Sequence, residues 1–439
     1  MPPTSRPAWF HAAAAALVLA IGCTAAVSGD TPPNAVATPP PAPVELVESV
    51  PIESNLGNPS LRPAAKVWLE LVKSATKSLD FEEMYLSNQA GEPLEPILTA
   101  LVEAAKRGVR VRILLDAKMY KTYSMPADSL GRIPGIAVRI IDFGKISGGI
   151  QHAKYILVDG KATYLGSQNM DWRSLEHIHE LGVLIHDEHV TEMFQPVFEM
   201  DWGAAEVQAT AGDSSRMIGV PAAPAAAQVL PIRIVQSAGD TVLVWPSWNP
   251  RSFSPDTARW DRDAVVQSID RADHEIVIQS LRYSTALGDS TDDTIDRALR
   301  RAAARGVSVK MLISDWQAGS KDMKMLESLS QQPHVEVKLS PVKEWSHAYI
   351  PFARVEHAKY MVVDSMWTWV GTSNWEPSYF HRVRNVAVTM KNRPLALQAR
   401  TSFEAGWSAP TALPVTTGAQ FAPRVHGETA PPGRTKYGN

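Results

Sequence analysis

Two short constellations in this chain are equipped to do chemistry together. The first is His152-Ala153-Lys154 followed, four residues on, by Asp159; the second is His357-Ala358-Lys359 followed at the same spacing by Asp364. Each is trailed by a small-residue turn ending in asparagine, Gly166-Ser167-Gln168-Asn169 and Gly371-Thr372-Ser373-Asn374. One copy supplies an imidazole, a fixed cation and a neutral donor. Two copies suit a phosphodiester: one histidine attacks phosphorus and the other protonates the departing oxygen, while Lys154, Lys359, Asn169 and Asn374 hold the non-bridging oxygens. A single short pattern recurs by chance. The same eighteen-residue frame occurring twice is specific.

The elements that must position these residues are repeated too. Ala104 to Leu114 resembles Ala302 to Leu312, each reading as an amphipathic helix stopped by glycine (Gly108, Gly306) and followed by an alternating strand. Further strands are expected upstream, over Leu79 to Leu86 and Glu275 to Arg282. Helices alternating with strands predict an α/β class, here two homologous α/β-sandwich lobes, each with a largely parallel sheet, forming a pseudo-dimer. Along a strand, His and Lys two apart share a face, so His152 with Lys154 and His357 with Lys359 are expected to face one cleft. Asp159 and Asp364, seven residues after each His, fall on the other parity and read as structural turn or pairing carboxylates.

These residues resemble the phospholipase D superfamily, whose two-motif members form one active site between two such lobes, and the resemblance implies the same interface site here. The stretches Tyr164 to Ser174, Glu180-Leu-Gly-Val183, His357 to Val362 and Gly371 to Phe380 look like its branch of lysosomal 5′-exonucleases and poxviral envelope relatives, and the resemblance covers roughly Asn58 to Trp407. It implies that each His is backed by a group 28 residues later, which places Glu180 behind His152 and Asn385 behind His357. On that pairing the carboxylate-backed His152 is the expected nucleophile, forming a phosphohistidine, and His357 the general acid and base. Ser167 and Ser373 beside the asparagines, and Trp172, Trp375 and Tyr379 just beyond them, are candidate substrate-binding residues. For the aromatic ones a second reading stands beside the first, in which they plug the lobe cores.

No metal or cofactor is expected, because the lysines and asparagines can balance charge that other phosphodiesterases give to metal ions. The rival clusters His177-Ile-His179 and His186-Asp-Glu-His189 lack cysteines or carboxylates at ligand spacing and read as surface histidines. With 43 basic and 46 acidic side chains the net charge is −3, so a nonspecific duplex binder is disfavoured and any polyanion must be captured locally. Arg297, Arg300 and Arg301, with Arg382 and Arg384, either extend that local site or form a solvated face.

Residues 1–28 read as a signal peptide: Arg6 precedes the short apolar run Ala12 to Ala20. The lone Cys23, in Ala20-Ile-Gly-Cys23, is a candidate lipidation site, with plain cleavage after Ser28 as the alternative. Export to a periplasmic or extracellular location, with or without a lipid anchor, follows from either. The remaining expected organisation is a Pro-rich tether over 29–51, a first lobe over 52–203, an inter-lobe linker over 204–235 with a strand at Ile232 to Gln236, a second lobe over 236–408 and a disordered tail over 409–439.

The function expected from all this is a metal-independent phosphodiesterase, most closely a 5′-exonuclease on single-stranded DNA or RNA. The alternative is a phospholipase D or phosphatidyltransferase on glycerophospholipids. A catalytically inactive surface adaptor is the third reading, disfavoured because His, Lys, Asp and Asn are present in both copies. No obligate protein partner is implied.

Overall fold

In the computed structural model, which describes residues 42–211, 229–237 and 239–438, the repeat becomes two sheets of matching order. The first lobe contains β1 (Val44–Ser49), β2 (Ser78–Glu83), β3 (Arg110–Asp116), β4 (Ile136–Ile141), β5 (Tyr155–Val158), β6 (Ala162–Gly166) and β7 (Glu180–Ile185), in the spatial order 1-7-6-5-2-3-4. Its helices include α1 (Ala64–Ser74), α2 (Leu94–Lys106) and α3 (Glu188–Ala211). The second lobe contains β8 (Ile232–Ser237), β9 (Asp240–Asn249), β10 (Glu275–Ser280), β11 (Ser308–Ser314), β12 (Val335–Ser340), β13 (Tyr360–Val363), β14 (Trp367–Gly371), β15 (Asn385–Lys391) and β16 (Leu413–Pro414). Their order is 8-9-15-14-13-10-11-12-16, with helices α4 (Asp261–Asp270), α5 (Thr294–Ala304) and α6 (Arg393–Trp407).

Apart from the two-residue strand Arg62–Pro63, which joins β1 in parallel, each sheet is parallel only across three strands, β2-β3-β4 and β10-β11-β12, where α2 and α5 provide crossovers. The motif strands β5 and β13 run antiparallel to their neighbours, which corrects the expectation of largely parallel sheets. For the β5–β6 and β13–β14 pairs the cause is connection length: three residues join each, far too few for a parallel crossover. Gly108 (φ +91°) and Gly306 (φ +90°) end α2 and α5 in the left-handed region, as the helix-stop reading requires.

The lobes share a core. Tyr155, Leu165 and Val183 of the first sheet pack in one apolar cluster with Tyr360, Val386 and Val388 of the second, together with Phe194 and Phe198 of α3 and Phe403 of α6. A polar network crosses the same boundary. Arg384, fully buried, meets Asp201 of α3 through two hydrogen bonds of 2.6 and 2.8 Å, and also donates to the carbonyls of Asn249 and Phe253. Arg384 is therefore a structural cation, whereas Arg297 pairs with Asp293, Arg300 with Asp296, and Arg301 with Asp270 along α5, a salt-bridged face. Asp201→Asn strands the guanidinium without its counter-charge and is expected to cost about 3–5 kcal/mol, read as a lowered denaturant midpoint with the m-value unchanged.

Three expected boundaries move. The tether over 29–51 contains β1, which pairs antiparallel with β7 from Val44↔Ile185 to Ser49↔Glu180. The linker over 204–235 is narrower, since α3 continues to Ala211 and β8 begins at Ile232, where the strand was expected. The tail over 409–439 is ordered through 438: β16 adds to the edge of β12, Arg424 pairs with Asp315 and Glu344, and Tyr437 packs on Trp345 and Trp172. Its Pro/Gly composition concealed the few aromatic and arginine anchors that dock it. The leader and Cys23 lie outside the described residues, and no described helix is long and apolar enough to cross a membrane.

Candidate active site

Both motifs sit just before the strands that carry them, β5 and β13, in extended backbone. Asp159 (φ +55°) caps the β5–β6 turn and accepts hydrogen bonds from the backbone N–H groups of Thr76, Lys77 and Ser78 at 2.7 to 2.9 Å. Asp364 (φ +51°) does the same for Asp273, His274 and Glu275 at 2.8 to 2.9 Å. These carboxylates fasten each motif hairpin to the start of its neighbouring strand, away from the cleft, as the parity argument expects.

The other end of each motif crosses to the opposite lobe. The His152 N–H donates to Arg384 O at 3.0 Å, and the Arg384 N–H to Ile150 O at 3.0 Å. In the counterpart ladder, Arg354 N–H donates to His177 O, and His357 N–H to His179 O, both at 2.9 Å. This parallel pairing brings each motif histidine beside the first residue of the other lobe's buried strand. His357 Nδ1 therefore meets Glu180 Oε2 at 2.7 Å, and His152 Nδ1 meets Asn385 Oδ1 at 3.0 Å. The expected pairing is overturned: Glu180 backs His357 and Asn385 backs His152. The 28-residue interval locates both partner groups, but each serves the histidine of the other lobe.

Asn385 donates its amide to Tyr379 O and accepts from Thr372 Oγ1, which fixes its oxygen toward His152. With an acceptor at Nδ1, each imidazole keeps its proton there and turns Nε2 to the cleft. The lysine Nζ atoms each donate at 2.6 Å to the carbonyl of their own motif histidine, so Lys154 and Lys359 lie buried beneath the two rings. Glu83, another buried carboxylate, faces Lys154 and accepts from Met170 N–H at 3.2 Å.

Burial and the two ammonium groups set the titration. His152 is held well below its ordinary 6.5, by burial first and then by Lys154 and Lys359; His357 is lowered by burial, then by Lys359 and Lys154. Burial lifts Glu180 to about 7 against the opposing charge of Lys359, and brings Lys359 down to about 7. A histidine acting as general acid must be protonated in the free enzyme, and raising the pH through its depressed pKa removes that proton. Lys359 loses its charge as the pH rises through about 7. Glu180, in turn, gains its charge only as the pH rises through about 7. The expected kcat/KM profile is therefore a bell on the acid side of neutrality, its acid limb set by ionisation of Glu180 and its alkaline limb by loss of the histidine and lysine protons; a profile flat between pH 5 and 8 contradicts it.

His152, His357, Asn169, Asn374 and Tyr379 line one cavity of about 480 Å³. Tyr379 meets the His152 ring edge-on at 5.0 Å. The other predicted binding residues are elsewhere. Ser167 Oγ is bound to the backbone of Leu181, bracing β7 at Glu180, and Ser373 Oγ lies buried against Asn249 and Asp261. Trp172 packs against His177 and Tyr437, and Trp375 sits edge-on to Trp369 in the second lobe's core, so the plug reading holds for both. His186 and His189 are exposed as expected, but His177 and His179 are buried, which corrects that reading. His179 is clamped between Glu48 (3.0 Å) and Glu356 (2.6 Å), whose charges raise it to about 10.

Several cavity residues went unrecognised: Tyr85 and Tyr123, stacked 5.0 Å apart, Arg173, Trp316, Phe352 and Glu428. Arg173 is tied to Asp171, which also accepts the Tyr85 hydroxyl at 2.7 Å. Only its place next to the asparagine turn could have singled out Arg173; Tyr123, Phe352 and Glu428 lie on loops with no local pattern.

Two sheets of matching order with a paired His-Lys-Asn centre at their junction define a phosphodiesterase built from duplicated lobes. The family described as cardiolipin synthase, PLD-like domain, matches residues 68–202 and 265–407, and the chain belongs to the phospholipase D superfamily. It is 32% identical over 393 residues to phospholipase D Z of Dictyostelium discoideum, covering 85% of this chain and 91% of that one. It is 31% identical over 407 residues to a 5′-3′ exonuclease of Macaca fascicularis, covering 84% and 80%. Among solved structures, phosphatidylserine synthase of Haemophilus influenzae Rd KW20 shares the fold, with a TM-score of 0.53 at 11% identity over 80% of this chain and 85% of that one.

Proposed function

We propose that this hydrolase is a 5′-exonuclease on single-stranded nucleic acid, working through a phosphohistidine on His357. The observation that carries the substrate class is the ring-lined cavity. Tyr85, Tyr123, Trp316, Phe352 and Tyr379 surround the space in front of the two histidines, with Arg173 among them. Flat rings offer stacking faces to bases of any identity, worth about 1–3 kcal/mol per base.

The choice of nucleophile follows from the crossed partners. When His357 Nε2 attacks phosphorus while Nδ1 keeps its proton, the product is a positively charged phosphoimidazolium. Glu180 at 2.7 Å supplies the matching negative charge, which neutral Asn385 cannot give His152. In the first step the N–P bond forms, the P–O bond to the next nucleotide breaks, and His152 passes its Nε2 proton to the leaving 5′-oxygen. In the second, His152 takes a proton from water, the water oxygen bonds to phosphorus, and the N–P bond breaks to release a 3′-phosphorylated nucleotide. Lys154, Lys359, Asn169 and Asn374 accommodate the phosphoryl oxygens throughout.

The test offers 5′-hydroxyl single-stranded DNA in excess EDTA and resolves products by length over time. Mononucleotides from the first time points, with shortening from the 5′ end, are expected. Intact DNA, with headgroup release from phosphatidylcholine or phosphatidylglycerol, transfers the assignment to phospholipids. The aliphatic members of the same wall, Met84, Met119, Ile178, Leu281 and Val355, are suited to that outcome.

A further inference from the structure

We infer that the first lobe carries a divalent-cation site, of the kind zinc occupies, made by Glu92, Glu176 and His177 and distinct from the catalytic cavity. One ligand atom from each residue lies within 4.8 Å of the others, and none of the three lines the cavity. His177 is 1% exposed, and neither ring nitrogen has a hydrogen-bond partner. Its ring is wedged between Trp172, 5.5 Å away, and Trp345, 5.1 Å away. A buried donor or acceptor without a partner is costly, and two carboxylates brought together repel. One cation accepting an imidazole nitrogen and two carboxylate oxygens answers all of these, with room left for water in its coordination shell.

The second lobe shows what this place requires. Glu92 stands two residues before α2, and Asp292 two residues before α5. Glu176 ends the short helix Trp172–Glu176, and His381 ends its counterpart, Pro377–His381. There Asp292 is fully matched: His381 Nε2 lies 2.6 Å from it and Arg262 Nη1 3.3 Å. Arg262 is the second residue of α4; the second residue of α1 is Ala65. The first lobe thus keeps acidic groups and a histidine at the corresponding place while lacking the arginine. Tyr437 of the C-terminal segment hydrogen-bonds to Glu92, so a cation here also fastens the chain end. Arg354 is the opposing charge nearby, and its guanidinium is engaged by Lys343 O and Ile52 O, both at 2.8 Å.

Zinc chloride titrated calorimetrically into the chelator-stripped full chain tests this. One equivalent is expected to bind saturably, and Glu92→Gln and Glu176→Gln, which preserve shape, are each expected to weaken binding at least tenfold. His152→Ala should bind as wild type does, and zinc should raise the Tm of both while leaving Glu176→Gln unmoved. Absence of saturable binding, or affinity untouched by both Glu→Gln changes, overturns the site, as does loss of binding in His152→Ala.

Discussion

His357→Ala is expected to lower turnover by at least about 10⁴-fold, because it removes the attacking atom and not merely a contact. A bare KM effect is excluded on this mechanism, since the ring acts on the reacting phosphorus. The informative companion is His152→Ala with an activated aryl phosphodiester, whose leaving group needs no proton. There the first step survives while the second lacks its base, so a labelled phosphoenzyme should accumulate. Peptide mapping should place the label on His357. A label on His152 in the reciprocal His357→Ala protein would reverse the roles, and with them the argument from Glu180.

Glu180→Gln is the second large effect, about 10²- to 10⁴-fold in kcat. Glutamine keeps an oxygen for the His357 Nδ1–H but removes the charge that the phosphoimidazolium needs. Two side effects sharpen the measurement. Glu180 accepts the Ser174 hydroxyl at 3.1 Å, so folding of the variant should be checked by denaturation. Lys359 also loses its principal carboxylate neighbour, which lowers its pKa further, so the acid-side optimum should move to still lower pH. Asn385→Ala, by contrast, removes only a neutral acceptor from His152 and is expected to cost less. Equal losses in the two variants would remove the asymmetry between the histidines.

The neighbours of these residues explain why the crossed pairing holds. His179, clamped by Glu48 and Glu356, immediately precedes Glu180, and Glu356 immediately precedes His357. Arg384, anchored on Asp201, immediately precedes Asn385. Each catalytic contact is thus next in sequence to a buried ionic contact, and the two inter-lobe ladders fix register at the chemistry.

By itself the sequence determined the duplication, the eight motif residues and the separation of Asp159 and Asp364 from the chemistry, whereas the partner groups at Glu180 and Asn385 followed only from the family resemblance. The first three were legible because they are local: strand parity, helix-stopping glycines and repeated spacing act over a few residues and survive without knowledge of the rest of the chain. Tertiary structure alone decided which histidine each partner serves, because a fixed interval within one lobe does not reveal pairing with the other. It also decided that Trp172 and Trp375 fill cores while Tyr85 and Tyr123 line the cavity, since aromatic character favours burial and stacking alike. The C-terminal segment, low in apolar content, becomes ordered through Arg424 and Tyr437, whose partners lie some 80 residues or more away in sequence. Contacts between residues so distant are set by the packing of the two lobes, and no short-range pattern encodes them.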